Sequence, residues 1–330
     1  MNNNDIATIC THFEFGKLLA PPERVYGGLL HKMWRFEVEK GVYAVKQLAA
    51  SINLANKALI DNYNLTEKIA SCFIQREIPG VCAIEPLFII NGRGYLIYPW
   101  VKAKPLHALS EAHALQISEI LARMHHIHLN IPEILAPQFD SHSTNYVREL
   151  TKKSVDYQCS FSKLLEAQLD ELLLANSAYQ QAISVLKKHV VVSHGDLDQK
   201  NVLWDENDRP VLIDWESARQ LNPVYEIVNA SLDWSGITTE FNPDLFTKML
   251  KAYKKAGGSI DQLSYEASFY GVLGNWINWL VYNIERSCTS DLSEQTIGTE
   301  QVMQVLPTIS RINLLIKDLA LHRTIFKFLE

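Results

Sequence analysis

The 330-residue chain contains no apolar run near the roughly 20 residues that a membrane span needs, so no membrane partner is expected. Its opening, MNNNDIATIC, has no basic segment followed by an apolar one, which argues against a secretory signal. The five cysteines (Cys10, Cys72, Cys82, Cys159 and Cys288) are odd in number and scattered, and no CxxC pair occurs. That usage speaks against a disulfide framework or a zinc site and points to a reducing, cytoplasmic setting. There is no basic excess: the net charge is −6, so a nucleic-acid partner is not expected. The chain also lacks a Walker sequence, a full GxGxxG, internal repeats and low-complexity tracts. No second functional domain is expected.

What is present is ordinary globular composition, 47% hydrophobic and 21% charged, in a length that fits two domains or one domain with two lobes. The charge is uneven. Residues 1–100 carry 10 Lys/Arg and 9 Asp/Glu, whereas residues 101–330 carry 21 and 28. An acidic second part would suit a cationic small molecule, although mild acidity is common.

The most informative stretch runs from Val190 to Arg219. Two short apolar strands are separated by a polar turn. The first leads into His194-Gly195-Asp196, with Asn201 five residues after the aspartate; the second, Val211-Leu212-Ile213, ends on Asp214-Trp215-Glu216. Two carboxylates and an amide are thus set at the ends of neighbouring strands. Phosphoryl transfer needs positioning and charge neutralisation rather than covalent help. One carboxylate, Asp196, suits the hydrogen bond from an attacking hydroxyl. Asp214 and the amide oxygen of Asn201 suit Mg2+, a hard cation that takes oxygen ligands. The spacing H-x-D-x-x-x-x-N, with a metal aspartate at the next strand end, matches a kinase catalytic loop. The bland alternative is two buried strands joined by a polar hairpin, and the length of the match disfavours it.

His194-Gly195-Asp196-Leu197, Asn201-Val202-Leu203 and Ile213-Asp214-Trp215-Glu216 together resemble the aminoglycoside phosphotransferase and choline kinase-like superfamily of small-molecule kinases. The glycine between His and Asp, where protein kinases usually carry arginine, favours the small-molecule branch. The resemblance implies an α+β, two-lobed protein-kinase-like fold. Residues 1–101 would be a mainly antiparallel β nucleotide-binding lobe, and residues 102–330 a mainly α-helical lobe for catalysis and acceptor binding. It implies ATP or GTP as donor, with magnesium. Asp196 would be the catalytic base, His194 a loop support, and Asn201 and Asp214 the metal ligands.

The first hundred residues read as strands. Arg24 to Tyr26, Trp34 to Val38 and Val42 to Leu48 alternate apolar and polar residues, and Pro21-Pro22 break whatever precedes them. The loop Gly27-Gly28-Leu29, continuing to His31, is either an ordinary turn or, as the resemblance implies, the nucleotide-positioning loop, whose glycines would let the backbone approach a phosphate. Lys46 is either a solvated strand-edge lysine or the lysine that contacts the donor phosphates. In the second case it pairs with an acid on the next helix, read over Asn53–Gln75, and Glu67 is the choice over Asp61 nearer the helix start. Asn91-Gly92 joins two further strands in a hairpin. Tyr98, Pro99, Trp100 and Val101 then leave the sheet as the expected adenine-side linker.

Beyond residue 102 the patterning is helical. Ser110 caps a helix to about His128; residues 131–150 read as loop; a helical pair spans roughly 151–188 with a polar break near Asn176-Ser177. Further helices cover 242–257, 264–287 and about 307–328. The family often places Gly-Asp-Pro and a buttressing Asp after the metal strand; this chain has Asn222-Pro223 and Glu226. Candidate acceptor contacts are Asp198, Glu216, Trp276, Asn283 and Glu285, since aromatic faces hold cations or sugar rings. The acceptor itself (aminoglycoside, choline, homoserine or another metabolite) is not chosen by the motifs. A monomer or homodimer binding a nucleotide and a small molecule is expected. The competing expectation is a regulatory, non-catalytic nucleotide binder of the same fold.

Overall fold

A computed structural model describes residues 1–26, 31–106, 108 and 110–329. The chain forms two compact units. One comprises Met1–Ala108, Ile131–Ile134 and His194–Arg219; the other comprises Leu109–Asn130, Leu135–Ser193 and Gln220–Glu330. The division differs from the expected single cut after residue 101. The strands and turns of residues 194–219 pack with the N-terminal unit because β-pairing and aromatic stacking tie them there, as described below.

The first unit opens with helix α1 (Asn3–His12), capped by Asn2. Strands β1 (Glu23–Val25), β2 (Lys32–Val38) and β3 (Gly41–Gln47) follow, then helix α2 (Lys57–Ile74) and strands β4 (Phe88–Ile90) and β5 (Arg93–Pro99). The five strands make one antiparallel sheet in the order β1-β2-β3-β5-β4. Period-two alternation sorts its side chains between two faces. Phe36, Val38, Val45, Tyr95 and Ile97 pack with Ile6, Ile9 and Phe15 around α1. Leu48 and Leu96 pack on the opposite face with Tyr63 of α2. Lys46 follows Val45 and pairs in register with Leu96, so it lies on the α2 face, almost fully buried.

Helix α1 is tied to the sheet by a buried carboxylate as well as by its apolar side chains. Asp5 is fully buried and accepts from Asn91 Nδ2 (2.8 Å), Arg93 Nη1 (3.0 Å) and Tyr95 Oη (2.7 Å) of the β4–β5 hairpin. Burial alone would raise its pKa, but these donors outweigh burial and hold it below the usual value.

Strand β5 runs on through Pro99, and Trp100 N–H still donates to Val42 O at 3.0 Å. Tyr98 and Pro99 therefore remain in the sheet, and the expected departure shifts to Val101. The chain then forms β6 (Ala103–Lys104).

The second unit contains α3 (Glu111–Ile127), α4 (Thr144–Asp156), α5 (Ser162–Leu186) and strand β7 (Val191–Ser193). Ser110 caps α3 in a reciprocal box with His113, an arrangement worth about 1 kcal/mol. The loop expected over 131–150 ends early, because Ser143 is a cap that starts α4. The break expected at Asn176 does not occur. Asn176 is fully buried within α5, and its amide donates to His142 O at 2.8 Å. The real break lies between α4 and α5.

Back in the first unit, β8 (Val202–Asp205) and β9 (Pro210–Leu212) form a sheet with β6. Strand β10 (Arg219–Leu221) pairs with β7. The rest of the second unit is helical: α6 (Pro223–Trp234), α7 (Pro243–Lys255), α8 (Gln262–Ser287), α9 (Leu292–Lys317) and α10 (Leu319–Leu329). Helix α9 starts fifteen residues before the expected point, with Pro307 inside it. Its Val302, Val305, Leu306, Ile309 and Ile312 make a buried stripe, and α9 packs on α8. That burial outweighs the hydrogen bond lost at the proline. The whole is an α+β fold, an antiparallel sheet region followed by a helical part. Among the described residues no helix is long and apolar enough to cross a membrane.

Candidate active site

The site is built where β9 delivers Asp214 beside the loop that follows β7. Leu212 of β9 is gripped by the turn after α2: Leu212 N–H donates to Pro79 O (3.2 Å) and Val81 N–H donates to Leu212 O (3.1 Å). Beyond the strand, Trp215 is buried and stacks on Phe73 of α2, with ring centroids 5.7 Å apart. Asp214 lies between these anchors with φ +61° and ψ +63°, the left-handed region that Asp tolerates better than most residues. Two hydrogen bonds and a ring contact join the two segments. His194 Nε2 donates to Ile213 O (3.0 Å), and Ile213 N–H donates to Asn201 O (3.0 Å). The His194 ring also lies 4.6 Å from that of Trp215.

Gly195 is required by this packing. Its φ is +80°, and an added Cβ would stand 2.2 Å from Ser217 O. The turn after Asp214 thus occupies the space that a side chain between His194 and Asp196 would need.

Asn201 donates its amide nitrogen to Asp196 twice, to the backbone carbonyl (2.8 Å) and to Oδ2 (3.0 Å). The carboxylate of Asp196 is thereby fixed and partly exposed, and the amide oxygen of Asn201 is the pole left for a cation. Lys200, absent from the sequence-based candidates, sits 2.6 Å from Asp198 Oδ2 and 3.5 Å from Asp196 Oδ2. Burial and the adjacent Asp196 raise the pKa of Asp198, whereas the two carboxylates together raise that of Lys200 despite burial. Asp198 thus serves as a partner of Lys200 within the loop.

Lys46 requires a correction. Its Nζ lies 2.9 Å from Asp214 Oδ1 and 2.5 Å from Glu216 Oε1. The expected partner, Glu67, instead accepts from Tyr98 Oη (2.7 Å) and Ala83 N–H (2.7 Å). Burial raises the pKa of Glu67 despite those bonds, and Lys46 acts on it only as a charge further off. Tyr98, expected beside a nucleotide, has its hydroxyl committed to Glu67. Glu216, expected at the acceptor, holds Lys46 with one oxygen and receives His31 Nε2 on the other at 3.3 Å. Burial opposes its ionisation, but the His31 hydrogen bond and the Lys46 charge overcome it, bringing its pKa down to about 2. Burial likewise disfavours the charged form of Lys46, and the two carboxylates more than compensate.

The sequence from residue 27 to residue 263 matches the model of the phosphotransferase enzyme family. The chain belongs to this family. It is a phosphotransferase enzyme by class, with the protein-kinase-like fold. No curated protein matches it. Among solved structures it is similar to a spectinomycin phosphotransferase crystallised with ADP and spectinomycin, at TM-score 0.68 and 12% identity, over 94% of this chain and 98% of that one. It is similar to a choline kinase from Cryptosporidium parvum Iowa II at TM-score 0.59 and 13% identity, over 99% of each chain. An aminoglycoside phosphotransferase from Alicyclobacillus acidocaldarius gives TM-score 0.60 and 15% identity, over 96% of this chain and 95% of that one. At these identities the likeness is one of fold.

The remaining expected positions divide by unit. Gly27, Gly28 and Leu29 lie outside the described residues. Pro99 is exposed at the end of β5, and Trp100 and Val101 are half-buried, with Arg35 5.6 Å over the Trp100 ring. In the second unit, Trp276, Asn283 and Glu285 all fall on α8 but do not form one group. Asn283 is fully buried and donates to Trp279 O at 2.8 Å. Glu285 accepts from Tyr146 Oη, and Trp276 is half-buried. The substituted stretch that follows Asp214 is also accounted for in this unit. Asn222 caps α6, with Pro223 at its first position. Glu226 bonds His125 Nε2 at 2.6 Å, and His125 Nδ1 meets Tyr253 Oη at 2.8 Å, all three buried.

Proposed function

We propose that this phosphotransferase moves the terminal phosphoryl group of ATP or GTP to a hydroxyl of a small molecule, such as an aminoglycoside-like compound, choline or homoserine. The observation that carries the reading is one connected cluster. Asp196 is fixed by Asn201, and Asn201 is tied to the strand end that presents Asp214 to a buried Lys46. The ADP-bound and spectinomycin-bound state of one structural neighbour supports a nucleotide donor and a small acceptor.

In this reading Asp196 accepts the hydrogen bond of the acceptor hydroxyl and takes its proton as the phosphoryl group departs. A loose transition state needs little basicity, so orientation matters more than a raised pKa. Asn201 contributes by preventing rotation of that carboxylate. Lys46 meets the donor phosphates with a charge that burial leaves poorly screened. The donor set fits magnesium: the Asn201 amide oxygen and the Asp214 oxygen not bonded to Lys46 are both hard ligands. When bound there, magnesium would neutralise phosphate charge.

The test is a transfer screen with ATP or GTP and magnesium against aminoglycosides, amino alcohols, homoserine and sugars, with Asp196→Ala as control. Consumption of nucleotide by the wild type alone, on one acceptor, supports the reading. Nucleotide binding that is indifferent to magnesium, with no transfer, would favour a regulatory binder instead.

A further inference from the structure

The contact of His31 with Glu216 has no place in the scheme above, yet it joins two parts of the site. His31 directly precedes β2 and is nearly fully buried. Its Nδ1 accepts from Ala49 N–H at 3.1 Å. That bond fixes the tautomer: Nδ1 is the acceptor, so Nε2 carries the proton and points it at Glu216 Oε2. The Tyr63 ring stands edge-on to His31 with centroids 6.4 Å apart. Glu216 is therefore held at both oxygens, by Lys46 on one and His31 on the other.

Lys46 has two carboxylate partners, and the proposed mechanism engages one of them. In that scheme Asp214 shares its carboxylate with magnesium, whereas Glu216 is given no second duty. Glu67, the helix acid from which a partner for Lys46 was expected, already accepts from Tyr98 and Ala83. Holding Lys46 in place when Asp214 turns to the metal therefore falls to Glu216. A glutamate with free side-chain torsions would hold it poorly. A hydrogen bond to its second oxygen removes that freedom.

We propose that His31 is a positioning residue for Lys46: acting through Glu216, it clasps the β2–β3 hairpin to the turn after Asp214 and keeps the lysine ready for the donor phosphates. The inference rests on the function proposed above. It concerns the nucleotide and leaves the acceptor untouched.

The test compares His31→Ala, His31→Gln and His31→Asn. Glutamine keeps a donor at the reach of Nε2; asparagine keeps only an acceptor near Nδ1. The measurements are the dissociation constant of magnesium–ADP, kcat and KM with the acceptor found by the screen, and Tm without nucleotide. His31→Ala is expected to weaken magnesium–ADP binding and raise the nucleotide KM about tenfold, the size of one hydrogen bond to a charged group. The acceptor KM should stay within twofold. His31→Gln should recover most of the loss and His31→Asn little. In a Glu216→Gln background, His31→Ala should add less than twofold, because its route to Lys46 is already cut. A lower Tm with unchanged nucleotide parameters, equal rescue by asparagine, or full additivity with Glu216→Gln would each overturn the proposal. Should His31→Ala not fold, the glutamine and asparagine variants carry the comparison. A wild type that neither binds magnesium–ADP nor transfers phosphate would remove the parent reading instead.

Discussion

Replacing Gly195 by alanine tests how tightly the segment bearing Asp196 is locked to the turn after Asp214. The new Cβ would start 2.2 Å from Ser217 O and 3.0 Å from Ser217 C, whereas ordinary contact begins at 3.4 Å. About 1.2 Å of separation must therefore be opened between the two backbone segments. Neither yields easily, because His194 bonds Ile213 and Trp215 is anchored on Phe73. The φ of +80° adds left-handed strain of roughly 1 kcal/mol for a residue with a Cβ. Overpacking contributes about 1–3 kcal/mol more. The expected cost is thus about 2–4 kcal/mol, a fall in Tm of roughly 4–8 °C at about 2 °C per kcal/mol for a chain this long. Any displacement of the Asp196 carboxylate by about 1 Å should lower kcat by about a hundredfold. Magnesium–ADP binding, which the proposed scheme assigns to Lys46 and Asp214, should suffer less. Thermal melts, nucleotide titration and turnover with the screened acceptor check all three parts. A variant with wild-type Tm and kcat would refute the argument, since it would mean the two segments separate at no cost.

Three other outcomes are expected. Asp196→Ala should reduce kcat by about 10²–10⁴ while the dissociation constant of magnesium–ADP stays within about threefold; turnover within a few-fold of wild type would move the base elsewhere. Asp214→Ala should erase the difference between nucleotide affinity with and without magnesium, and a persisting difference would place the metal ligand at another residue. Asp5 has a depressed pKa in the folded chain. Its stabilisation is therefore complete above the unfolded value near 4 and is lost as pH falls through the folded value. Asp5→Asn should then show a smaller loss of Tm between pH 7 and pH 3 than the wild type, and identical losses would show that the charge is not what holds α1.

The string from His194 to Glu216 could be read as one cluster because its residues are close in sequence and their types are those that the proposed chemistry asks for. Asp196, Asn201 and Asp214 sit within nineteen positions, and strand alternation located the sheet around Lys46. What could not be read was which of several acids a buried lysine meets. Glu67 had the right helix and the right order, but Tyr98 and Ala83 N–H, both distant in sequence, claim it. The role of Glu216 needed its neighbour Asp214 to adopt a left-handed backbone, which no periodicity signals. Helix boundaries failed where polar residues were taken as loop. Ser143 proved a cap and Asn176 a buried amide bonded through its nitrogen, because polar groups used inside a fold look the same in sequence as exposed ones. The acceptor candidates on α8 were chosen by residue type alone, and type does not reveal that Asn283 faces its own helix.

The discontinuity of the first unit has a consequence for how the protein is made. Its N-terminal sheet is complete by Pro99, but Leu212 must still reach Pro79 and Val81, and Trp215 must reach Phe73. Strand β6 likewise waits for β8. On a ribosome, residue 219 of 330 must emerge before this unit can close. Until then the far end of α2 and β6 lack the partners that they have in the folded unit. Gene fragments ending near residue 101 are for the same reason poor candidates for independent expression, however clean that boundary looks in the sequence.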